Sequence, residues 1–244
     1  MTRVLVISDI HANLTALEAV LTDAGNVDEA WCLGDIAGYG PDPNECIDLL
    51  QTLPQPKFMM GNHDYGAIGD SALETFNQDA RKALLWQRKV LTEDSKKFLR
   101  TFMEEPLVCG DVTLVHGSPR DPIWEYIMNT LVARINLDHF TSPWCFVGHS
   151  HFQAVFKHHP DSDDMSIDVP APGDKYQLQE RAILNPGSVG QPRDRDSRAA
   201  YAIFDPQTKI WEPRRVVYDI KAVQQRILDA GLPPRHAERL AGGW

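Results

Sequence analysis

Val4-Leu5-Val6-Ile7-Ser8-Asp9-Ile10-His11-Ala12-Asn13 is the stretch whose reading decides the fold. Its four consecutive apolar residues are of the kind that fill a strand buried on both faces. A polar tip follows at once. If strand geometry continues, Asp9 and His11 point to the same side, where one carboxylate and one imidazole can grip a single metal ion. Asn13 caps a helix to about residue 24, with Leu14, Leu17, Val20 and Leu21 in one apolar stripe and Gly25 as its stop. The unit is strand, polar tip, helix.

Working outward, the unit recurs. Ala30 to Leu33 reads as a second strand running into Gly34-Asp35-Ile36-Ala37-Gly38-Tyr39-Gly40-Pro41, where glycines permit tight turns around a second carboxylate, Asp35. Asp42-Pro43 opens the next helix, with Cys46, Ile47, Leu49 and Leu50 inward. Phe58-Met59-Met60 is a third strand, ending in a loop Gly61-Asn62-His63-Asp64. Asn62 offers a neutral amide oxygen to a cation, and His63 offers an imidazole that carries a proton near neutral pH. This alternation predicts an α/β sheet with a site along its carboxyl edge.

Residues 71–104 change to helical spacing, which reads as a helical hairpin inserted beside the site and a candidate lid. Leu107 to Val115 is a hairpin around Gly110-Asp111, and it delivers His116 to another strand tip. Arg120 and Tyr126, in the loop that follows, are candidate substrate contacts. A helix to about residue 138 leads to the strand Trp144 to Val147, which ends in Gly148-His149-Ser150-His151. Two imidazoles at spacing two, hard against a glycine, are poorly explained as core histidines, whereas His139, His158, His159 and His236 lack that setting and read as structural or exposed.

The remainder reads as an antiparallel sheet of residues 153–157, 175–184, 199–204 and 210–217, with the acidic stretch 160–166 as a mobile connection. The glycine-marked turn Asn185 to Gly190 precedes Arg193, a candidate ligand for a phosphate oxygen. Two helices, near residues 220–230 and 234–240, follow. No repeat or linker divides the chain, so residues 1–244 read as a single domain.

Composition bounds the partners. The 244 residues carry a formal net charge of -10, which argues against non-specific binding to nucleic acid or to an anionic membrane. No apolar run has the length of a membrane span or of a signal-peptide core, so a cytoplasmic location is expected. Cys32, Cys46, Cys109 and Cys145 are widely spaced, which suits reduced thiols better than disulfides or a zinc knot. The strand tips together hold Asp9, His11, Asp35, Asn62, His116, His149 and His151, oxygen and nitrogen donors enough for two cations of the manganese, iron, zinc or nickel type. Two such ions against two aspartates and a bridging hydroxide leave a net positive site in an acidic protein, which favours an anionic, phosphate-bearing substrate.

The order Asp9-x-His11, Gly34-Asp35, Gly61-Asn62-His63-Asp64, His116 and Gly148-His149-x-His151 resembles the calcineurin-like metallophosphoesterases. The resemblance implies a four-layer α-β-β-α sandwich of two mixed sheets with a two-metal site. Carried over position by position, Asp9, His11 and His151 bind one metal, Asn62, His116 and His149 bind the other, Asp35 bridges them, and His63 protonates the leaving oxygen. It further implies attack on phosphorus by a hydroxide bridging the metals. Protein phosphatases of this superfamily carry Gly-Asp-x-x-Asp-Arg-Gly, but here the run is Gly34-Asp35-Ile36-Ala37-Gly38-Tyr39-Gly40, without the second Asp or the Arg. That departure makes the chain more similar to the small bacterial and archaeal phosphodiesterase branch. The expected substrates are then small phosphodiesters or nucleotides, such as cyclic nucleotides or dinucleoside polyphosphates. A phosphomonoesterase with the same site, and a catalytically silent scaffold, are the competing readings.

Overall fold

β1 (Val4–Ile7) lies inside a sheet, and all four of its residues are fully buried. Val4 and Val6 face one core while Leu5 and Ile7 face another, as the two-residue period of a strand requires. The computed structural model describes residues 2–69 and 73–244, so the expected start of the helical insertion at residue 71 lies outside the described residues. From β1 the chain continues through α1 (Leu14–Ala24), β2 (Glu29–Cys32), α2 (Pro43–Gln51), β3 (Lys57–Phe58) and α3 (Asn62–Ile68). A short 3-10 turn at Leu73–Thr75 precedes α4 (Gln78–Val90) and α5 (Glu93–Leu99), which are capped by the side chains of Asn77 and Thr92. Next come β4 (Leu107–Cys109), β5 (Val112–Leu114), α6 (Thr130–Asn136), β6 (Trp144–Phe146), β7 (Ala154–His159) and β8 (Asp164–Asp168). The chain closes with β9 (Tyr176–Gln177), β10 (Ala182–Asn185), β11 (Ala199–Asp205), β12 (Ile210–Val216), α7 (Ile220–Asp229) and α8 (Pro234–Gly242).

Among the described residues the strands form two six-stranded mixed sheets, ordered β3-β2-β1-β11-β12-β9 and β4-β5-β6-β10-β7-β8. Their inner faces meet in a core that includes Trp31, Phe146, Phe204 and Trp211. Each aromatic ring of this kind contributes about 2–3 kcal/mol through burial. The outer face of the first sheet carries α1 and α2 through Leu17, Val20, Ile47 and Leu50, and that of the second carries α6 through Ala133. The result is the expected four-layer α-β-β-α sandwich. No helix among the described residues is long and apolar enough to cross a membrane.

Three sequence expectations are corrected. Residues 153–217 are not one antiparallel sheet: β7, β8 and β10 join the second sheet, β9, β11 and β12 join the first, and β10 runs parallel to β6. Apolar alternation fixes which face of a strand is buried, not which sheet receives it. The acidic stretch 160–166 is a turn that enters β8 at Asp164, and Asp163 is fastened by Arg134 and by His158. Finally, Gly61 to Asp64 is not a loop. Gly61 is the N-cap of α3, and Asp64 accepts the Gly61 N–H at 3.2 Å, as an acid at the third helical position commonly does.

Candidate metal centre

The strand tips are held together by backbone. Asp9, His11 and Ala12 donate to the carbonyls of Gly34, Asp35 and Ile36 at 3.0, 3.0 and 2.7 Å, lacing the end of β1 to the end of β2. Val189 and Gly190 donate to Ser8 and Asp9 from the other side at 3.0 and 2.9 Å, and Gly148 donates to His116 at 2.8 Å. Asp9, His11, Asp35, His149 and His151 all adopt left-handed φ, between 49° and 63°. Side chains other than glycine are uncommon there, so the strand geometry expected for Asp9 and His11 does not continue past Ile7. Both still reach the cluster, because the turn re-aims them.

One oxygen of each aspartate is spent on backbone. Asp9 Oδ2 accepts from the His149 N–H at 3.1 Å, and Asp35 Oδ1 accepts from the His63 N–H at 2.8 Å. The other oxygens, Asp9 Oδ1 and Asp35 Oδ2, are buried without a hydrogen-bond partner. Asp9 Oδ1 faces His151 Nε2 at 3.3 Å and His11 Nε2 at 3.9 Å, and Asp35 Oδ2 stands 3.6 Å from Nε2 of both His11 and His116. Burial raises both carboxyls: Asp9 is pushed up to about 7, and Asp35 goes well above the carboxylate range with the charge of Asp64 adding to the effect.

The imidazoles are arranged in the complementary way. His11, His116 and His151 point Nδ1 at the carbonyls of Ala37, Leu33 and Gln191, at 2.8, 2.7 and 2.6 Å, and His149 points Nε2 at that of Trp124 at 3.2 Å. A carbonyl can only accept, so the nitrogen facing it carries the proton. Burial, first among several causes, lowers all four histidines from their usual value, so each remains neutral and its second nitrogen is a bare lone pair. Those bare nitrogens face one another: His11 Nε2 and His151 Nε2 are 3.1 Å apart, as are His116 Nε2 and His149 Nδ1. Paired lone pairs beside free carboxylate oxygens repel, and a divalent cation is what such a donor set fits. The donor atoms of Asp9, His11, Asp35 and His151 lie within 4.8 Å of one another, and so do those of Asp35, His116 and His149. Asn62 Oδ1 joins the second group, 3.3 Å from His116 Nε2.

His63, on the first turn of α3, stacks edgewise on His11 at 4.9 Å and on Phe76 at 4.8 Å, and its Nδ1 has no hydrogen-bond partner. Beside it stands Tyr39, with ring centroids 4.4 Å from His63 and 4.6 Å from His11. Gly38, with φ of 95°, lies so close to both imidazoles that a Cβ there would strike His63 and His11. Gln87 of α4 clasps the same turn, accepting from the Gly38 N–H at 2.6 Å and donating to the Gly40 carbonyl at 2.9 Å.

All eight residues expected at the centre are thus brought together: Asp9, His11, Asp35, Asn62, His63, His116, His149 and His151. Tyr126 adjoins them, its ring stacked on His149 at 3.7 Å, and so does Arg193, which donates to the Tyr39 hydroxyl at 3.3 Å. Arg120 is engaged in an ion pair with Glu125. Sequence reasoning missed Tyr39, Asp64 and Gln87. Tyr39 sits in the glycine-rich turn and Asp64 follows His63, so both carried a positional signal, whereas Gln87 reads as an ordinary polar helix residue. Asp64 acts on backbone: its carboxylate accepts from Ala37 at 2.8 Å as well as from Gly61, joining the tips of β2 and β3.

Residues 2–209 match the family model of the calcineurin-like phosphoesterase superfamily domain. The chain is 40% identical over 242 residues to an uncharacterised protein of Methanocaldococcus jannaschii, covering 96% of each. It is 44% identical to a metallophosphoesterase of known structure from Sphaerobacter thermophilus, with a TM-score of 0.92 over 100% of this chain and 99% of that one. A hypothetical protein of Pyrococcus horikoshii, 21% identical and with a TM-score of 0.79 over 100% and 99% of the two chains, has the same fold. With its family match, its sandwich and its two facing donor groups, the chain belongs to the calcineurin-like phosphoesterase superfamily.

Proposed function

We propose that this protein is a two-metal phosphoesterase hydrolysing phosphodiester or nucleotide-type substrates. The observation that carries the reading is the pairing of bare imidazole nitrogens around the free oxygens of Asp9 and Asp35. Asp9, His11 and His151 would hold one cation and Asn62, His116 and His149 the other, with Asp35 Oδ2, equidistant from the two groups, shared between them. Hard oxygen and imidazole donors without a thiolate suit manganese, iron, zinc or nickel. When bound, two such ions would supply Lewis acidity toward phosphate oxygens and lower the pKa of a bound water.

The chain's own residues do the rest. His63, with Nδ1 unengaged, is placed to give a proton to the departing oxygen. Arg193 orients a phosphate oxygen. Tyr126, lying flat on His149, covers that side of the cluster and keeps water from it. The test is hydrolysis of a chromogenic phosphodiester and of the matching monoester by metal-stripped protein reloaded with manganese. Faster turnover of the diester supports the reading, and faster turnover of the monoester replaces it with a phosphomonoesterase. No turnover of either by protein that holds two ions per chain would leave a silent scaffold.

A further inference from the structure

His151 lies between elements. β6 ends at Phe146 and β7 begins at Ala154, so no strand holds its left-handed backbone, with φ of 58°. Its imidazole is oriented by the Gln191 carbonyl, which belongs to a second segment outside the strands, between β10 and β11. The Nε2 that faces Asp9 Oδ1 at 3.3 Å is therefore aimed by two loops, and its direction lasts only while one is held against the other.

Upstream, the Gln191 N–H is tied to Ser188 Oγ at 2.8 Å. Downstream, the Arg193 N–H reaches the His151 carbonyl at 3.3 Å, and the next side chain completes the join. Asp194 Oδ2 accepts from the Gln153 N–H at 3.4 Å. Arg215, on β12, donates to both oxygens of Asp194, to Oδ1 at 3.1 Å, and gives its Nε to Gln153 Oε1 at 3.1 Å. Gln153 Nε2 in turn donates to the carbonyls of Pro186 and Tyr201 at 3.1 and 3.2 Å. Gln153 stands two residues past His151 and Asp194 three past Gln191, so one guanidinium grips the exit of both loops.

The side chains of Asp194 and Arg215 are 3% and 11% exposed. A buried ion pair is a poor source of net stability, because desolvation offsets most of the attraction, whereas a bidentate fork fixes distance and angle. Both side chains line a cavity of about 440 Å³ that none of the metal donors lines, which places the pair outside the cluster itself. We propose that Asp194 and Arg215 are positioning residues of the metal centre: their clamp on Gln153 holds the Gln191 carbonyl on His151 Nδ1 and so keeps Nε2 turned toward Asp9. The inference rests on the metal reading of the cluster and adds to it a pair that touches neither ion nor substrate.

The test compares the full-length wild type with Arg215→Lys, which keeps the charge without the fork, and Asp194→Asn, which keeps the shape without the charge. Nitrogen-15 NMR, on zinc-loaded and on metal-stripped protein, reads solvent exchange of the Nδ1 protons of His11, His116 and His151, each of which faces a carbonyl. In both variants the His151 proton exchanges about tenfold faster, the size of one weakened hydrogen bond, while those of His11 and His116 keep their wild-type rates. Zinc titration of the stripped variants shows one of the two ions bound roughly 10–100-fold more weakly and the other as in the wild type. Exchange that rises equally at all three histidines marks a general loosening of the fold and overturns the clamp, as do unchanged rates or two ions held with wild-type affinity. If one variant does not fold, the other decides. A wild type that binds no zinc refutes the metal reading instead, and the imidazole comparison on the stripped protein still decides the clamp.

Discussion

The backbone N–H of His63 donates to Asp35 Oδ1 at 2.8 Å, so the carboxylate shared by the two donor groups also fixes the start of the helix that bears the candidate acid. The candidate acid and the donor oxygen common to both groups are therefore positioned by one side chain. Its second oxygen remains free between His11 and His116.

Asp35→Asn keeps an oxygen for the His63 N–H and turns an amide N–H toward the bare nitrogens of His11 and His116. Metal content falls below two ions per chain, and turnover falls by roughly a hundredfold or more. The metal-free variant is as stable as the metal-free wild type or more so, by about 1 kcal/mol, because burial raises the Asp35 carboxyl and makes the wild type take up a proton on folding, a cost the amide does not carry. Metal analysis and thermal melts with and without manganese check this. A variant that binds two ions and is stabilised by them as the wild type is would show that Asp35 is not shared.

His63→Asn leaves the donor atoms of both groups in place, so two ions remain bound. Turnover of an ester with an alkoxide leaving group falls about a hundredfold, the range of a lost general acid. A nitrophenolate ester, whose leaving group departs without a proton, is hit less. Equal losses on the two esters would remove His63 from the proton-transfer step.

Glu125 makes the acid limb of stability partly local. Burial pushes its carboxyl up, but hydrogen bonds from Arg120, Asn136 and Ser118 outweigh that and hold it at about 2, against the usual 4.5. A depressed carboxyl adds stability that is present above its unfolded value and lost as pH falls through its folded one. The wild type should therefore exceed Glu125→Gln in urea stability at pH 6, and the gap should narrow as pH falls from 4.5 toward 2. The affected segment carries Trp124, whose carbonyl orients His149. A gap of constant size across that range would assign the loop's order to other contacts.

The sequence alone determined the parts of this protein that depend on local chemistry. Apolar runs of strand length with polar tips drew attention to Asp9, Asp35, Asn62, His116, His149 and His151 as candidate donors, because strand ends are where oxygen and imidazole groups escape the core. The helix cap Asn13 was equally legible, since its hydrogen bond reaches only three residues ahead.

What only the tertiary structure decided involves partners distant in sequence. Whether β9 and β10 share a sheet depends on pairing with Trp211 and with Phe146, not on their own residues. The left-handed turns at Asp9, His11 and His151 are held by loops distant in sequence, as in the Gly190 bond to the Asp9 carbonyl, 181 residues away. Gln87 looks like an ordinary helix-surface residue until α4 meets the backbone of Gly38 and Gly40, and Arg239 does until α8 packs beside Tyr39. A side chain's role there is set by the field and the hydrogen-bond partners around it, and those exist only once the chain has folded.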